Sequence, residues 1–290
     1  MDNKPSGTAL LIARCILLAS RDSGLRKLVA EGEPEIIRRI LRQTAYDRLF
    51  QLALGRFTRA ILLGLERFLL PGIISHYLAR KRRIELAVRE GLASGIRQVV
   101  VIAAGYDSLC LRLRDEFPDT RFIEIDHQAT QTPKAKAFPE AGNFRYIPAD
   151  LGKDSLTEIF PDTTPAVIVI EGLTMYLEER SNEALLRQIA PHCGKLIFTF
   201  MEKAPDGSID FRNQSPLIGS WLSNRKEPFL WGITRNELPA FLKECGFRCL
   251  DIIDDTQLRR EILAPRGLEQ LPLAQGECVC IAEPALLPLK

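Results

Sequence analysis

The chain has 290 residues, of which 46% are hydrophobic, enough apolar material for one large α/β domain or a core with an added subdomain. Its 39 basic and 37 acidic residues leave a net charge of +2, so no global field draws it to nucleic acid or an anionic membrane. No apolar stretch reaches the roughly 18 residues of a membrane span, because Glu66 and Arg67 interrupt the 61–74 region.

Read in chain order, the first apolar run, 9–19, contains Arg14, follows the non-basic MDNK and has no clean cleavage site. A signal peptide is therefore not expected, and the expected location is cytoplasmic. Helical spacing predicts helices over 8–20, 34–55, 57–70 and 74–92, so residues 1–94 read as a helical cap or lid. The dense basic run Arg80-Lys81-Arg82-Arg83 is either a solvated helix face or holds one residue with a ligand role.

From residue 95 the pattern changes to alternating strands and helices, which predicts a doubly wound α/β sheet, mostly parallel. Strands are expected at 98–103, 121–125, 144–147, 166–170, 195–201 and 247–253, with 277–283 closing the sheet as an antiparallel hairpin partner. Helices are expected at 181–190, where Ser181 can cap, and at 235–245, ending at the C-cap Gly246. The irregular insertion 204–232 holds Trp221 and Trp231, and a segment of that length inside an α/β core is usually functional. The seven cysteines lie mostly inside apolar patterns, with no C-x-x-C pair and no histidine beside Cys245, Cys249, Cys278 and Cys280. Reduced thiols are expected, and no metal site.

The stretch QVVVIAAGYDSLCLRLRDEFPDTRFIEID reads as strand, glycine turn, helix and a second strand ending in acids, the layout of a nucleoside-cofactor site. A dinucleotide site uses G-x-G-x-x-G to bring a helix N-terminus to a pyrophosphate. Here those positions hold Ala103, Gly105 and Ser108. S-adenosylmethionine has a ribose and an adenine but no phosphate, and so fits this turn better than a nicotinamide cofactor does.

Gly105, Asp126, Asp150 and Glu171 are separated by 21, 24 and 21 residues, about one strand-helix period each. In an open parallel sheet such strand ends share one crevice. Asp126, with Glu124 at a similar distance from the turn, is expected to accept from ribose hydroxyls or to cap the next segment. Asp150 is expected to meet the adenine amino group or to be a turn residue before Gly152. Glu171 follows four apolar residues and is expected to face the ligand's amino group or to orient its methionine end, while Asp107 is either a helix cap or part of the site.

These residues carry a resemblance to the leucine carboxyl methyltransferase family of S-adenosylmethionine-dependent O-methyltransferases, over about residues 74–250. ARKRRIE resembles the family's ARTRFID tract, which places the arginine for the cofactor carboxylate on Arg80. VVVIAAGYDSLCLRL is similar to the LGAGxDT motif, with Ala103 at its usual first glycine and Ser108 at its threonine. FIEIDH is similar to the F-E-V-D motif, with the ribose acid at Asp126 and His127 beside it. ADL places the adenine contacts on Asp150 and Leu151, and IEGLTMYL places the last acid on Glu171. KEPFLWGI and ECGF resemble the late G-E-P-F and G-F elements.

The resemblance implies a class I methyltransferase sheet, Rossmann-like, and methyl transfer by in-line attack on the cofactor's sulfonium methyl. It implies a small-molecule acceptor or a peptide C-terminus, and the charge balance and hydropathy add the expectation of no nucleic-acid or membrane partner. A carboxylate acceptor, ionised near neutral pH, needs no base; a hydroxyl acceptor would be served by Tyr176 or His127. Trp221, Phe229 and Trp231 are expected either to line an apolar acceptor pocket or simply to pack the insertion. The competing readings are a cofactor-binding protein without catalysis and a nicotinamide-dependent reductase.

Overall fold

The computed structural model describes residues 7–44, 55–160, 164–215 and 228–285. The expected strands form as β1 Gln98–Ile102, β2 Arg121–Asp126, β3 Phe144–Pro148, β4 Ala166–Ile170 and β5 Cys193–Glu202. After them come a two-residue β6, Gly232–Ile233, then β7 Phe247–Ile253 and β8 Glu277–Pro284. They build one sheet in the order β3-β2-β1-β4-β5-β8-β7, with β6 paired to β5. β1 (QVVVI) and β4 (AVIVI) are rich in β-branched residues and buried along their whole length, as central parallel strands must be when both faces are covered.

β8 is antiparallel, as expected, but it does not close the sheet. It lies between β5 and β7 and pairs with both, leaving β7 at the edge. The residue patterns explain the choice. The first six residues of β8 are buried, whereas β7 exposes Arg248 and Leu250 to solvent, so the more apolar strand takes the position covered on both sides.

The first helices are α1 Gly7–Ala19, α2 Glu33–Leu41, α3 Arg56–Leu69 and α4 Ile73–Ala93. Between the strands follow α5 Leu109–Leu113, α6 Gln128–Ala137, α7 Leu156–Ile159, α8 Glu179–Ile189, α9 Leu238–Glu244 and α10 Asp255–Leu258. α2 stops well short of the predicted residue 55: the Thr44 hydroxyl donates to the Leu41 carbonyl and closes the turn, and residues 45–54 lie outside the described ones. α8 starts before Ser181, with Glu178 at the cap position and no side-chain cap, so Ser181 lies within the helix.

α4 packs directly on the sheet. A Cβ added at Gly91 would stand 2.5 Å from Cγ2 of Val167, so glycine is what lets this helix approach β4 so closely. Ile16 of α1, Ile37 of α2 and Ala87 of α4 share one apolar cluster with Val99, Val101 and Val167 on that face of the sheet. The opposite face packs Val100, Ile168 and Phe198 against Leu186 of α8 and Leu242 of α9. Among the described residues no single helix is long and apolar enough to cross a membrane. The seven cysteines are free thiols, most of them buried.

Candidate functional site

Because β1 to β5 run parallel, their carboxyl ends open on one side of the sheet. A cavity of about 750 Å³ lies there. The predicted Arg80, Ala103, Gly105 and Asp126 line it, as do His127, Asp150, Leu151 and Glu171. Tyr176 and Phe229 line it as well. β8 reaches the same edge from the other direction: being antiparallel, it begins there, with Glu277 opposite Met201 of β5.

At one end, the chain leaves β1 through a turn with Ala103 at φ 56° and Gly105 at φ 53°. Among the described residues Ala103 is the only non-glycine with positive φ. Its Cβ is crowded in that left-handed conformation, a strain of about 1–2 kcal/mol. The Gly105 N–H donates to Asp126 Oδ2 at 2.6 Å, and the His127 N–H donates to Oδ1 at 2.6 Å. Burial pushes the Asp126 carboxyl up, against the pull of those two N–H groups. α1 covers the turn, since a Cβ on Gly105 would meet that of Ala9 at 3.2 Å.

His127 caps α6, its Nδ1 accepting from the Ala129 N–H at 3.2 Å. Asp150 accepts from the Gly152 N–H at 3.1 Å and stands 3.0 Å from Lys153 Nζ. Lys153 and that N–H hold its carboxyl below the usual range. Glu124 does not join Asp126 in the cavity. It is buried against Lys134 Nζ at 2.6 Å, and burial, against the pull of that ammonium, raises its pKa to about 7.

The other end is ionic. His76, Tyr77, Arg80 and Lys81 recur at helical spacing on α4 and face the sheet edge together. Arg80 Nε and Nη2 donate to Glu171 Oε1 at 3.1 and 2.6 Å, and Nη1 donates to both oxygens of Glu277 at 2.5 Å. The Tyr77 ring lies 4.7 Å from the guanidinium carbon. Lys81 donates to Glu171 Oε2 at 3.0 Å and to Asp107, whose other oxygen accepts from the Leu109 N–H. Asp107 lines the cavity and stands one residue before the cap position of α5, which is Ser108. Burial pushes the Glu277 carboxyl up, but Arg80 and His76, whose Nε2 is 3.3 Å away, outweigh it and hold the pKa at about 2.

The basic run is therefore not a uniformly solvated face: Arg80 and Arg83 are buried, and Arg83 pairs with Glu261. Gly172, just past Glu171, donates its N–H to Thr199 Oγ1 on β5 at 2.8 Å and so ties the loop after β4 to the sheet.

The remaining wall is apolar, formed by Ile12 and Ile16 of α1 with Met175, Tyr176, Phe211 and Phe229. The Phe229 ring centroid lies 5.6 Å from that of Tyr176 and 6.0 Å from that of Phe211. The Leu230 N–H donates to the Met175 carbonyl at 2.7 Å, which holds this part of the insertion at the cavity. Trp231, expected beside Phe229, does not line the cavity. It is buried in the core of the opposite face, 5.3 Å from Phe241 of α9, where a large apolar ring fills the space under that helix. Trp221 lies outside the described residues. Glu277, Tyr77 and Phe211 line the cavity without having been singled out from the sequence, and Lys81 of the basic run lines it too.

Residues 21–190, more than half of the chain, match the model of the leucine carboxyl methyltransferase family. The tetracenomycin polyketide synthesis O-methyltransferase TcmP of Streptomyces glaucescens is 33% identical over 95 residues, 32% of this chain and 34% of that protein. YktD of Bacillus subtilis, a candidate S-adenosyl-L-methionine-dependent methyltransferase, is 25% identical over 162 residues, 52% of this chain and 50% of its own. The chain thus spans half or less of these two relatives' lengths. A candidate methyltransferase of the same kind from Mycobacterium ulcerans is 27% identical over 295 residues, covering 95% of this chain and 93% of its own. The crystal structure of a candidate methyltransferase from Thermobifida fusca superposes with a TM-score of 0.54 at 14% identity, covering 98% of this chain and 96% of that one.

Proposed function

The chain belongs to the leucine carboxyl methyltransferase family and has the class I methyltransferase fold, and from that premise we propose that it transfers a methyl group from S-adenosylmethionine to an oxygen of a small, largely apolar acceptor. The observation that carries this reading is the division of one cavity into a hydroxyl-accepting end, an ionic end and an apolar wall. The donor and acceptor set fits the cofactor. Each Asp126 oxygen accepts one backbone N–H and keeps a further acceptor site for one of two neighbouring ribose hydroxyls. Asp150 and Leu151 would border the adenine, and Arg80 and Glu171 offer opposite charges to the amino-acid end, which is itself a zwitterion.

When bound, the cofactor supplies an electrophilic methyl group on a positively charged sulfonium. The protein's part is to align the two reactants and exclude water, and orientation of this kind is worth several kcal/mol. A carboxylate acceptor would enter already ionised, so that Tyr176 would need only to orient its oxygen; a hydroxyl acceptor would use Tyr176 as a hydrogen-bond partner. The tilted and edge-on rings of Tyr176, Phe211 and Phe229 suit a flat ring system, in keeping with the polyketide context in the name of TcmP.

The test is incubation with methyl-labelled S-adenosylmethionine and host extract, followed by separation by size. Label in small molecules supports the proposal, and its release by mild base identifies an ester. Label in protein would replace it with a peptide C-terminus as acceptor, and binding without transfer to any fraction would leave a cofactor-binding role alone.

A further inference from the structure

We infer that Glu277 is a positioning residue of the cofactor site: it is the permanent partner of Arg80, and it leaves Glu171 as the partner that can be exchanged. The inference rests on the cofactor reading above and goes beyond it, because Glu277 belongs to the antiparallel strand β8 and to none of the strand-end acids predicted from the sequence. Arg80 carries five N–H donors, and four contacts to two carboxylates occupy it on both sides. The two acids are not equivalent. Glu277 is 2% exposed, takes Nη1 with both oxygens and is backed by the buried His76. The Glu171 side chain is 12% exposed, and it divides its oxygens between Arg80 and Lys81.

A ligand that brings both a carboxylate and an ammonium needs a cation and an anion that are not locked to each other. Glu171 can turn toward the ammonium only if the guanidinium stays in place without it. The bidentate Glu277 contact and the Tyr77 ring beneath the guanidinium provide that hold. Without the Glu277 charge, Arg80 would draw on Glu171 alone, and the ligand's ammonium would have to compete with it.

The experiment is calorimetric titration of wild type, Glu277→Gln and Glu277→Asp with two probes. These are S-adenosylmethionine and 5′-methylthioadenosine, which keeps the adenosine but lacks the amino-acid end. Glu277→Gln is expected to weaken S-adenosylmethionine about tenfold or more, with 5′-methylthioadenosine unchanged. Glu277→Asp keeps the charge on a shorter stem, and should show a smaller loss of the same selectivity. If Glu277→Gln fails to fold, the Glu277→Asp comparison alone decides. Equal losses for both probes, or an unchanged affinity for S-adenosylmethionine, would overturn the inference. Failure of the wild type to bind either probe would instead overturn the cofactor reading itself.

Discussion

The two ends of the cavity solve the problem of burying acids in different ways. At the β1–β2 end, Asp126 is satisfied by two backbone N–H groups, and burial raises its pKa. At the β4–β8 end, Glu277 is satisfied by Arg80, and the ion pair lowers its pKa to about 2. Backbone donors let a carboxylate remain an acceptor for uncharged hydroxyls without a competing cation. A guanidinium makes the acid part of a charged scaffold. On the proposed reading, the contrast assigns Asp126 to the ligand and Glu277 to holding another residue.

Substitutions should separate the two ends in stability before they separate them in binding. Arg80→Met leaves Glu277 buried without its cation and should destabilise the fold by about 3–5 kcal/mol, measured by urea denaturation; a loss under 1 kcal/mol would mean that the ionic end relaxes as freely as the other. Acid should act on the same pair. Glu277 titrates at about 2 in the folded chain, against an ordinary 4.5. The stability it contributes is therefore complete above pH 4.5 and is lost as pH falls toward 2. The wild type should lose stability over that window more steeply than Glu277→Gln does, and parallel curves would remove the ion pair from the explanation.

Asp126→Ala should do the reverse, leaving stability little changed while weakening S-adenosylmethionine and 5′-methylthioadenosine alike, by about 1.5–3 kcal/mol in calorimetric titration. A loss confined to S-adenosylmethionine would contradict the assignment of this end to the ribose. The smallest effect belongs to the turn after β1, at the Asp126 end. Ala103→Gly removes a Cβ at φ 56° and should stabilise the protein by about 1 kcal/mol, read as a rise in Tm; an unchanged or lower Tm would mean that the turn carries no such strain.

The placement of the β1–β2 end at the cavity was legible in the sequence, and half of the ionic end was not. Asp126, Asp150 and Glu171 each follow an apolar strand, and in parallel strands that position is the carboxyl edge. Glu277 occupies the same edge, but on an antiparallel strand, so its acid opens the apolar run instead of closing it. The strand was expected to be antiparallel, so the acid just before its long apolar run was the available signal, one hidden by reading only the acids that follow apolar runs. Glu124 and Asp126 looked equivalent because they are two residues apart on one strand; Lys134, brought in by α6, is what takes Glu124 into the core. Trp231 and Phe229 looked equivalent for the same reason, and the space beneath α9 separates them.

A crystal structure with S-adenosylhomocysteine bound tests the central claim most directly. The account predicts the ribose hydroxyls on Asp126, the adenine beside Asp150 and Leu151, and the amino-acid end between Arg80 and Glu171, with the Arg80–Glu277 pair unbroken. Density for the ligand outside this cavity, or with its amino-acid end at Asp126, would contradict it.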